Sequence, residues 1–171
     1  MNRRARFERA MLPHLDAAYN LARWLVGNAQ DAEDVAQEAC LRALTFFDSF
    51  RGEDGRAWLL AIVRNTCYDW LRKNRNPQLL GSTEELDAAA DPGPGPEAAQ
   101  LRHADQRAVR DALEALPAEY REALVLRELE GMSYKEIARV TDLPIGTVMS
   151  RLARGRKRLE AALVAAAGKE R

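Results

Sequence analysis

Basic and hydroxyl side chains cluster near the C-terminal end of the sequence, in types and at spacings that suit contacts with DNA. Five of the eight residues from 151 to 158 are Arg or Lys, and two hydroxyl residues precede them. Arginine and hydroxyl groups hydrogen-bond base edges in the major groove, and basic side chains also hold phosphates. The candidate duplex-binding residues are Thr147, Ser150, Arg151, Arg154, Lys157 and Arg158. A solvated basic face is the alternative interpretation.

Residue patterns typical of catalysis do not stand out in this sequence. We find no carboxylate pair, nucleophile with a nearby base, or phosphate-binding glycine loop. Cys40 and Cys67 do not form a CxxC motif, and His14 and His103 are the only histidines, so a metal site is not indicated. We expect the two cysteines to be buried free thiols. The sequence therefore predicts a binding protein with no cofactor, metal or small-molecule substrate.

A helix-turn-helix pattern would position the basic segment. Ser133 and Glu136 have the spacing of a capping box, so a short helix is predicted from there to about Thr141. A turn follows over residues 142–144, and a final helix is expected from about Ile145. A helix, a tight turn and a second helix form the unit that places its second helix in the major groove.

A helix predicted from about Ala57 to Lys73 has two different faces. Its inward face comprises Trp58, Leu59, Ile62, Val63, Thr66 and Trp70, and its opposite face comprises Asn65, Tyr68 and Arg72. An amide, an aromatic ring and a guanidinium suit single-stranded or melted DNA, although an ordinary solvent-exposed face is the alternative. The preceding glycine-bounded polar loop, residues 51–56, contributes Arg51 and Arg56.

An earlier helix, predicted from about Asp31 to Phe47, also has two faces. The expected core face comprises Ala36, Ala39, Cys40, Ala43, Leu44 and Phe47. The opposite face comprises Asp34, Gln37, Glu38 and Leu41. A leucine among these polar residues is unusual for a face that meets only solvent, so we weigh a docking surface for a basic partner against a solvated face.

The distribution of charge and proline divides the chain. Residues 1–76 carry 12 basic and 10 acidic side chains, residues 77–100 carry none and 5, and residues 101–171 carry 14 and 11. The acidic middle also contains four of the seven prolines, which do not propagate helix or strand. We therefore predict an all-α protein with helical domains at 1–76 and 98–171, joined by a flexible acidic Pro/Gly linker at 77–97.

The apolar runs of the chain are too short for a membrane segment. The longest have seven residues, at 57–63 and 161–167, whereas a helix needs about 20 to cross a bilayer. The basic N-terminus is not followed by the continuous apolar core of a signal peptide. We expect a cytoplasmic protein with no membrane insertion.

Several of these segments together resemble the extracytoplasmic-function (ECF) type of bacterial sigma factor, in the sigma-70 family. Residues 31–40 (DAEDVAQEAC) are similar to the polymerase-binding segment of sigma region 2. Phe50-Arg-Gly, Ala57-Trp-Leu and Arg64-Asn-Thr are similar to its promoter-melting part. Residues 126–138 (LRELEGMSYKEIA) and 144–152 (PIGTVMSRL) are similar to region 4, although the chain has Met149 where many members carry Arg or Lys.

This resemblance implies partners and roles for the candidate residues. The clamp helices of the largest subunit of core RNA polymerase would bind the face formed by Asp34, Gln37, Glu38 and Leu41, and the flap of the second-largest subunit would bind region 4. The −10 element would be recognised by Arg51, Arg56, Asn65, Tyr68 and Arg72. The −35 element would be recognised by the basic helix, including Lys157, and the acidic linker would run toward the RNA path. Members of the family are commonly inhibited by an anti-sigma protein.

Two other classes of protein fit less of the sequence. A conventional transcriptional regulator would use the N-terminal helices for sensing and bind an operator as a dimer, without affinity for the polymerase. An enzyme would need the reactive constellation that the sequence does not offer.

Overall fold

The structure, a computed structural model, describes residues 1–74 and 98–169, with side chains from residue 105 onward in the second range. The N-terminal domain contains α1 (Arg3–Met11), α2 (Leu15–Val26), α3 (Ala29–Thr45) and α4 (Gly55–Lys73). The C-terminal domain contains α5 (Ala98–Ala115), α6 (Ala118–Leu124), α7 (Tyr134–Thr141) and α8 (Ile145–Lys169). All elements in these ranges are helical, which confirms the predicted all-α fold. The predicted linker at 77–97 lies outside the described residues.

Polar side chains set the starts of the N-terminal helices. Asn28 accepts a hydrogen bond from the backbone N–H of Asp31 at 2.8 Å, and Asp54 accepts one from Ala57 at 3.1 Å. These caps satisfy backbone donors that have no partner within their own helix. Because Asp54 is the cap, α4 begins at Gly55, and Arg56 lies in its first turn rather than in the predicted loop.

Helices α2, α3 and α4 pack on one another around an apolar core. Its centre includes Leu21, Leu25, Leu59, Leu60 and Val63, all fully buried. The buried residues of α3 are Ala32, Val35, Ala39 and Ala43. The predicted core face of α3 was therefore wrong at Leu44, which is partly exposed. Of the two cysteines predicted to be buried, Cys40 is half-buried and Cys67 is buried.

The C-terminal domain contains the predicted helix-turn-helix. The capping box is present, with the Ser133 hydroxyl accepting from the Glu136 N–H and the Glu136 carboxylate accepting from the Ser133 N–H. Helix α7 ends at Thr141, and its C-cap Asp142 adopts a left-handed conformation with φ of 56°. Helix α8 then packs on α6, where the Cα of Gly155 lies so close to Leu124 that a β-carbon there would meet its side chain at 3.3 Å.

The two domains pack against each other, α2 on α6 and α4 on α7. Arg121 of α6 is buried and reaches the C-terminal end of α2, where its Nε donates to the backbone oxygen of Trp24 at 2.7 Å. Another guanidinium nitrogen of Arg121 donates to the backbone oxygen of Leu25. A cation at this position complements the partial negative charge of a helix C-terminus. The contact between the domains is therefore polar and specific as well as apolar.

Candidate nucleic-acid interface

The candidate docking face on α3 is exposed as predicted. Asp34, Gln37 and Glu38 are all exposed, and the Leu41 side chain has 65% of its surface accessible. The Glu38 carboxylate pairs with Arg42 at 3.0 Å, and Arg42 also bonds Asp69 of α4 at 2.9 Å. Since Arg42 holds α3 on α4 through Asp69, the acidic face does not depend on Glu38 for its position.

An apolar groove of about 510 Å³ lies beside the candidate docking face. It runs between the N-terminal helices, and Gln37 and Leu41 belong to both the groove and the face. Leu15 and Leu44 also line it and are partly exposed. The sequence pattern had assigned Leu44 to the core, so the apolar part of this surface was underestimated.

The candidate −10 residues are not all accessible. Asn65 and Arg72 on α4 and Arg51 in the loop are exposed, as predicted. Tyr68 is different, because its hydroxyl is buried where the C-terminal domain packs. Arg56 is half-buried, and its guanidinium donates to the backbone oxygen of Glu130 at 2.8 Å and to the Glu136 carboxylate at 3.1 Å. The placement of Tyr68 on an exposed face was therefore wrong for this conformation.

A buried polar cluster covers Tyr68. Arg64 of α4 donates from Nε to the fully buried carboxylate of Glu122 of α6 at 2.9 Å, and its guanidinium lies 4.5 Å from the centre of the Tyr68 ring. Burial raises the pKa of Glu122, although Arg64 opposes this effect. Burial, together with the nearby Glu122 carboxylate, also raises the pKa of the Tyr68 hydroxyl. Neither that hydroxyl nor Oε1 of Glu122 has a hydrogen-bond partner of good geometry among the described residues.

Glu136 links the helix-turn-helix to the N-terminal domain. Its carboxylate accepts from the Ser133 backbone N–H within the capping box and from Arg56 across the domain contact. The Ser133 hydrogen bond, supported by Arg56, lowers the pKa of Glu136 to about 2. This carboxylate is therefore charged at neutral pH, where both of its hydrogen bonds are strongest.

The basic helix α8 presents only part of its predicted surface outward. Ser150, Arg154 and Lys157 are exposed. Arg151 lies 3.7 Å from the Glu119 carboxylate of α6, and Arg158 lies over the Tyr120 ring at 5.1 Å. Thr147 is half-buried and, together with Glu119 and Arg151, lines a polar notch of about 330 Å³ between α6 and α8. The notch can present guanidinium and hydroxyl groups together to phosphates and base edges.

Two further structural properties bear on the kind of site. No group of three or more His, Cys, Asp or Glu residues in the described ranges is arranged to hold a metal ion. Within the same ranges, the helices are each too short or too polar to cross a bilayer.

Comparison with family models finds two matches, in order along the chain. The model of sigma-70 region 2 matches residues 11–76, and the model of sigma-70 region 4 matches residues 106–159. These ranges contain the candidate faces on α3 and α4 and the helix-turn-helix, respectively.

Comparison with individual proteins finds relatives over most of the chain. The ECF RNA polymerase sigma factor SigE of Mycolicibacterium smegmatis is 37% identical over 85% of this chain, which covers 57% of SigE. The RNA polymerase sigma-H factor of Pseudomonas aeruginosa is 39% identical over 81% of this chain and 76% of the relative.

Two solved structures share the fold. The sigma factor RpoE of Bartonella quintana, solved with the anti-sigma factor NepR, has a TM-score of 0.69 and 31% identity, covering 92% of this chain and 96% of RpoE. CnrH, solved with the cytosolic domain of CnrY, has a TM-score of 0.68 and 29% identity, covering 96% of this chain and 90% of CnrH.

Proposed function

This chain belongs to the ECF sigma factors of the sigma-70 family, and we propose that it binds core RNA polymerase and directs it to promoters through −10 and −35 elements. The observation that carries the proposal is the exposed acidic and apolar face of α3, in the same chain as an outward-facing basic helix-turn-helix. The face of α3 binds the polymerase, and the helix-turn-helix binds the DNA. The protein acts in the cytoplasm by delivering the polymerase, without catalysis of its own.

Core polymerase binds the face formed by Asp34, Gln37, Glu38 and Leu41. An interface is strongest where an apolar side chain is fully desolvated within a ring of polar contacts. Leu41 provides the apolar centre, because it is exposed and continues into the groove shared with Gln37. Asp34 and Glu38 provide negative charge that attracts a basic partner surface and orients it.

Promoter DNA binds two surfaces. Arg51, Asn65 and Arg72 are ready to contact the melted −10 strand, whereas Arg56 and Tyr68 join them once the C-terminal domain has moved away. The −35 duplex binds α8, where Arg154 and Lys157 hold phosphates and Ser150 reaches base edges. Thr147 and Arg151 border this surface in the notch beside α6, and Arg158 lies over the ring of Tyr120.

An anti-sigma protein is the natural inhibitor of such a chain. The structures of both RpoE and CnrH were solved with a partner protein, and this chain matches each over nine-tenths of its length. The apolar groove beside Leu41 offers a surface where an inhibitor could compete directly with the polymerase.

Run-off transcription with purified core polymerase tests the proposal. We compare the natural chain with Glu38→Lys and, as a control, with Asp16→Lys, the same change of charge at an exposed position of α2 that does not line the apolar groove. Glu38→Lys should reduce core binding and promoter-specific initiation at least about tenfold, as expected for a reversed charge at an interface. Asp16→Lys should retain both.

Two outcomes would contradict the proposal. If both variants initiate as well as the natural chain, the α3 face does not bind the polymerase. If the natural chain gives no initiation and no core binding but binds duplex DNA as a dimer, the protein is a conventional regulator.

A further inference from the structure

The outward side of α8 carries two different rows of residues. Positions four apart follow one another along the surface of a helix, so Ile145, Met149 and Ala153 form one row. Gly146, Ser150 and Arg154 form the adjacent row. Both rows are exposed, in contrast to the buried stripe that includes Val148 and Leu152.

The first row is apolar in spite of its exposure. Ile145 has 42% of its surface accessible and Met149 has 51%, and Ala153 is also exposed. These residues do not contribute to the core of the C-terminal domain, since α8 meets α6 through Gly155 on a different side. The helix thus presents an apolar strip directly beside hydroxyl and guanidinium groups.

We propose that Met149 reads the 5-methyl group of a thymine in the −35 element and so selects an A·T pair at that position. This inference rests on the proposed function of α8. In the major groove, the thymine methyl is the apolar feature of the base edges, whereas the guanine and adenine edges offer hydrogen-bonding groups. A helix with adjacent apolar and polar rows therefore matches a sequence in which thymine lies next to bases read by hydrogen bonds.

Methionine is suited to this contact. Its unbranched thioether side chain adapts to an irregular apolar surface, and its sulfur is only a weak acceptor, so contact with a methyl group leaves no strong hydrogen-bonding group unsatisfied. Met149 lies in the second turn of α8, next to Ser150. The N-terminal turns of a recognition helix are the ones that reach base edges, while later turns contact phosphates.

The test removes the thymine methyl group from the DNA and first leaves the protein unchanged. Holoenzyme formed with core polymerase first selects a −35 sequence from a randomised promoter library. Each thymine of the selected element is then replaced in turn by deoxyuridine, which differs only in lacking the methyl. Binding to the natural holoenzyme should weaken about fourfold at one position, the effect expected for one buried methyl group.

The same substitutions are repeated with two variants. Met149→Ala should bind the thymine and deoxyuridine promoters equally at that position. Val164→Ala shortens another exposed apolar side chain of α8, far from the proposed DNA surface, and should keep the fourfold difference. The ratio of the two affinities isolates the methyl contact from any general loss of binding.

The contrary outcomes separate this inference from the proposed function. A selected element without thymine, no sensitivity to any deoxyuridine, or full sensitivity in Met149→Ala would overturn the role of Met149 while leaving the sigma function intact. A holoenzyme that selects no −35 sequence at all would overturn the proposed role of α8 in recognising the −35 element.

Discussion

The two proposed DNA surfaces differ in how far the protein itself already occupies them. On α8, Ser150, Arg154 and Lys157 are exposed, so a duplex can approach without rearrangement of the chain. On the −10 side, Arg56 is bonded to the C-terminal domain and the Tyr68 hydroxyl is buried beneath it. One surface is open, and the other is complete only after the domains separate.

The bonds that close the −10 side are made mainly by arginines across the domain contact. Arg56 and Arg64 reach from α4 to the C-terminal domain, and Arg121 reaches back to the end of α2. Charged hydrogen bonds of this kind are strong when buried, but they are costly when one partner is lost. Single substitutions in this contact should therefore shift the relative positions of the two domains, whereas they should leave the −35 surface unaltered.

The largest effect is expected from Glu122→Lys. The new ammonium group would face Arg64 in a buried site, where an unpaired charge costs about 3 to 5 kcal/mol. Separation of the domains removes this cost and uncovers Tyr68. Affinity for single-stranded −10 DNA should rise on the order of 100-fold, as measured by fluorescence anisotropy, with an increased distance between dyes placed in the two domains.

A charge-matched variant controls for nonspecific attraction to DNA. Glu160→Lys makes the same change at an exposed position of α8 and should leave the distance between the dyes unaltered. An equal gain in affinity for both variants, or no change in distance for Glu122→Lys, would show that the contact does not restrict the −10 surface.

A smaller effect is expected from Arg56→Ala. Its two interdomain hydrogen bonds lie at a partly exposed site, so their loss should weaken the closed conformation by about 1 kcal/mol, or about fivefold. The distance between the domain dyes is the measurement, because Arg56 is itself a candidate DNA contact. No shift toward longer distances would mean that Arg64 and Arg121 hold the domains together without it.

The variant Glu136→Gln tests the contact of Glu136 with Arg56 and Ser133 through the pH dependence of stability. Since the folded pKa of Glu136 is held near 2, below the unfolded value of about 4.3, its contribution is present above about pH 4 and is lost as the pH falls toward 2. Glutamine keeps the capping hydrogen bond without the charge. The stability of Glu136→Gln should therefore vary less with pH over this range than that of the natural chain, as measured by thermal unfolding.

The contrast between the surfaces also explains which features the sequence could predict. The capping box of Ser133 and Glu136 depends on residues three apart, and it was confirmed. The burial of Tyr68 depends on Glu122, which is 54 positions away and resembles an ordinary surface acid in a short helix. Periodicity identifies the face on which a residue lies, but not the domain that covers that face.

The smallest effect is expected on the open surface, from Lys157→Ala. Each phosphate contact contributes about 0.9 to the slope of log affinity against log salt, so the slope for a −35 duplex should fall by about 1. The loss of affinity caused by the substitution should be the same for all duplex sequences, and it should shrink about threefold between low and moderate salt. The distance between the domains should not change. Lys169→Ala removes the same charge at the far end of α8 and should leave the slope as it was. An unchanged slope for Lys157→Ala would mean that this side chain does not meet a phosphate, and it would restrict the open surface to Ser150 and Arg154.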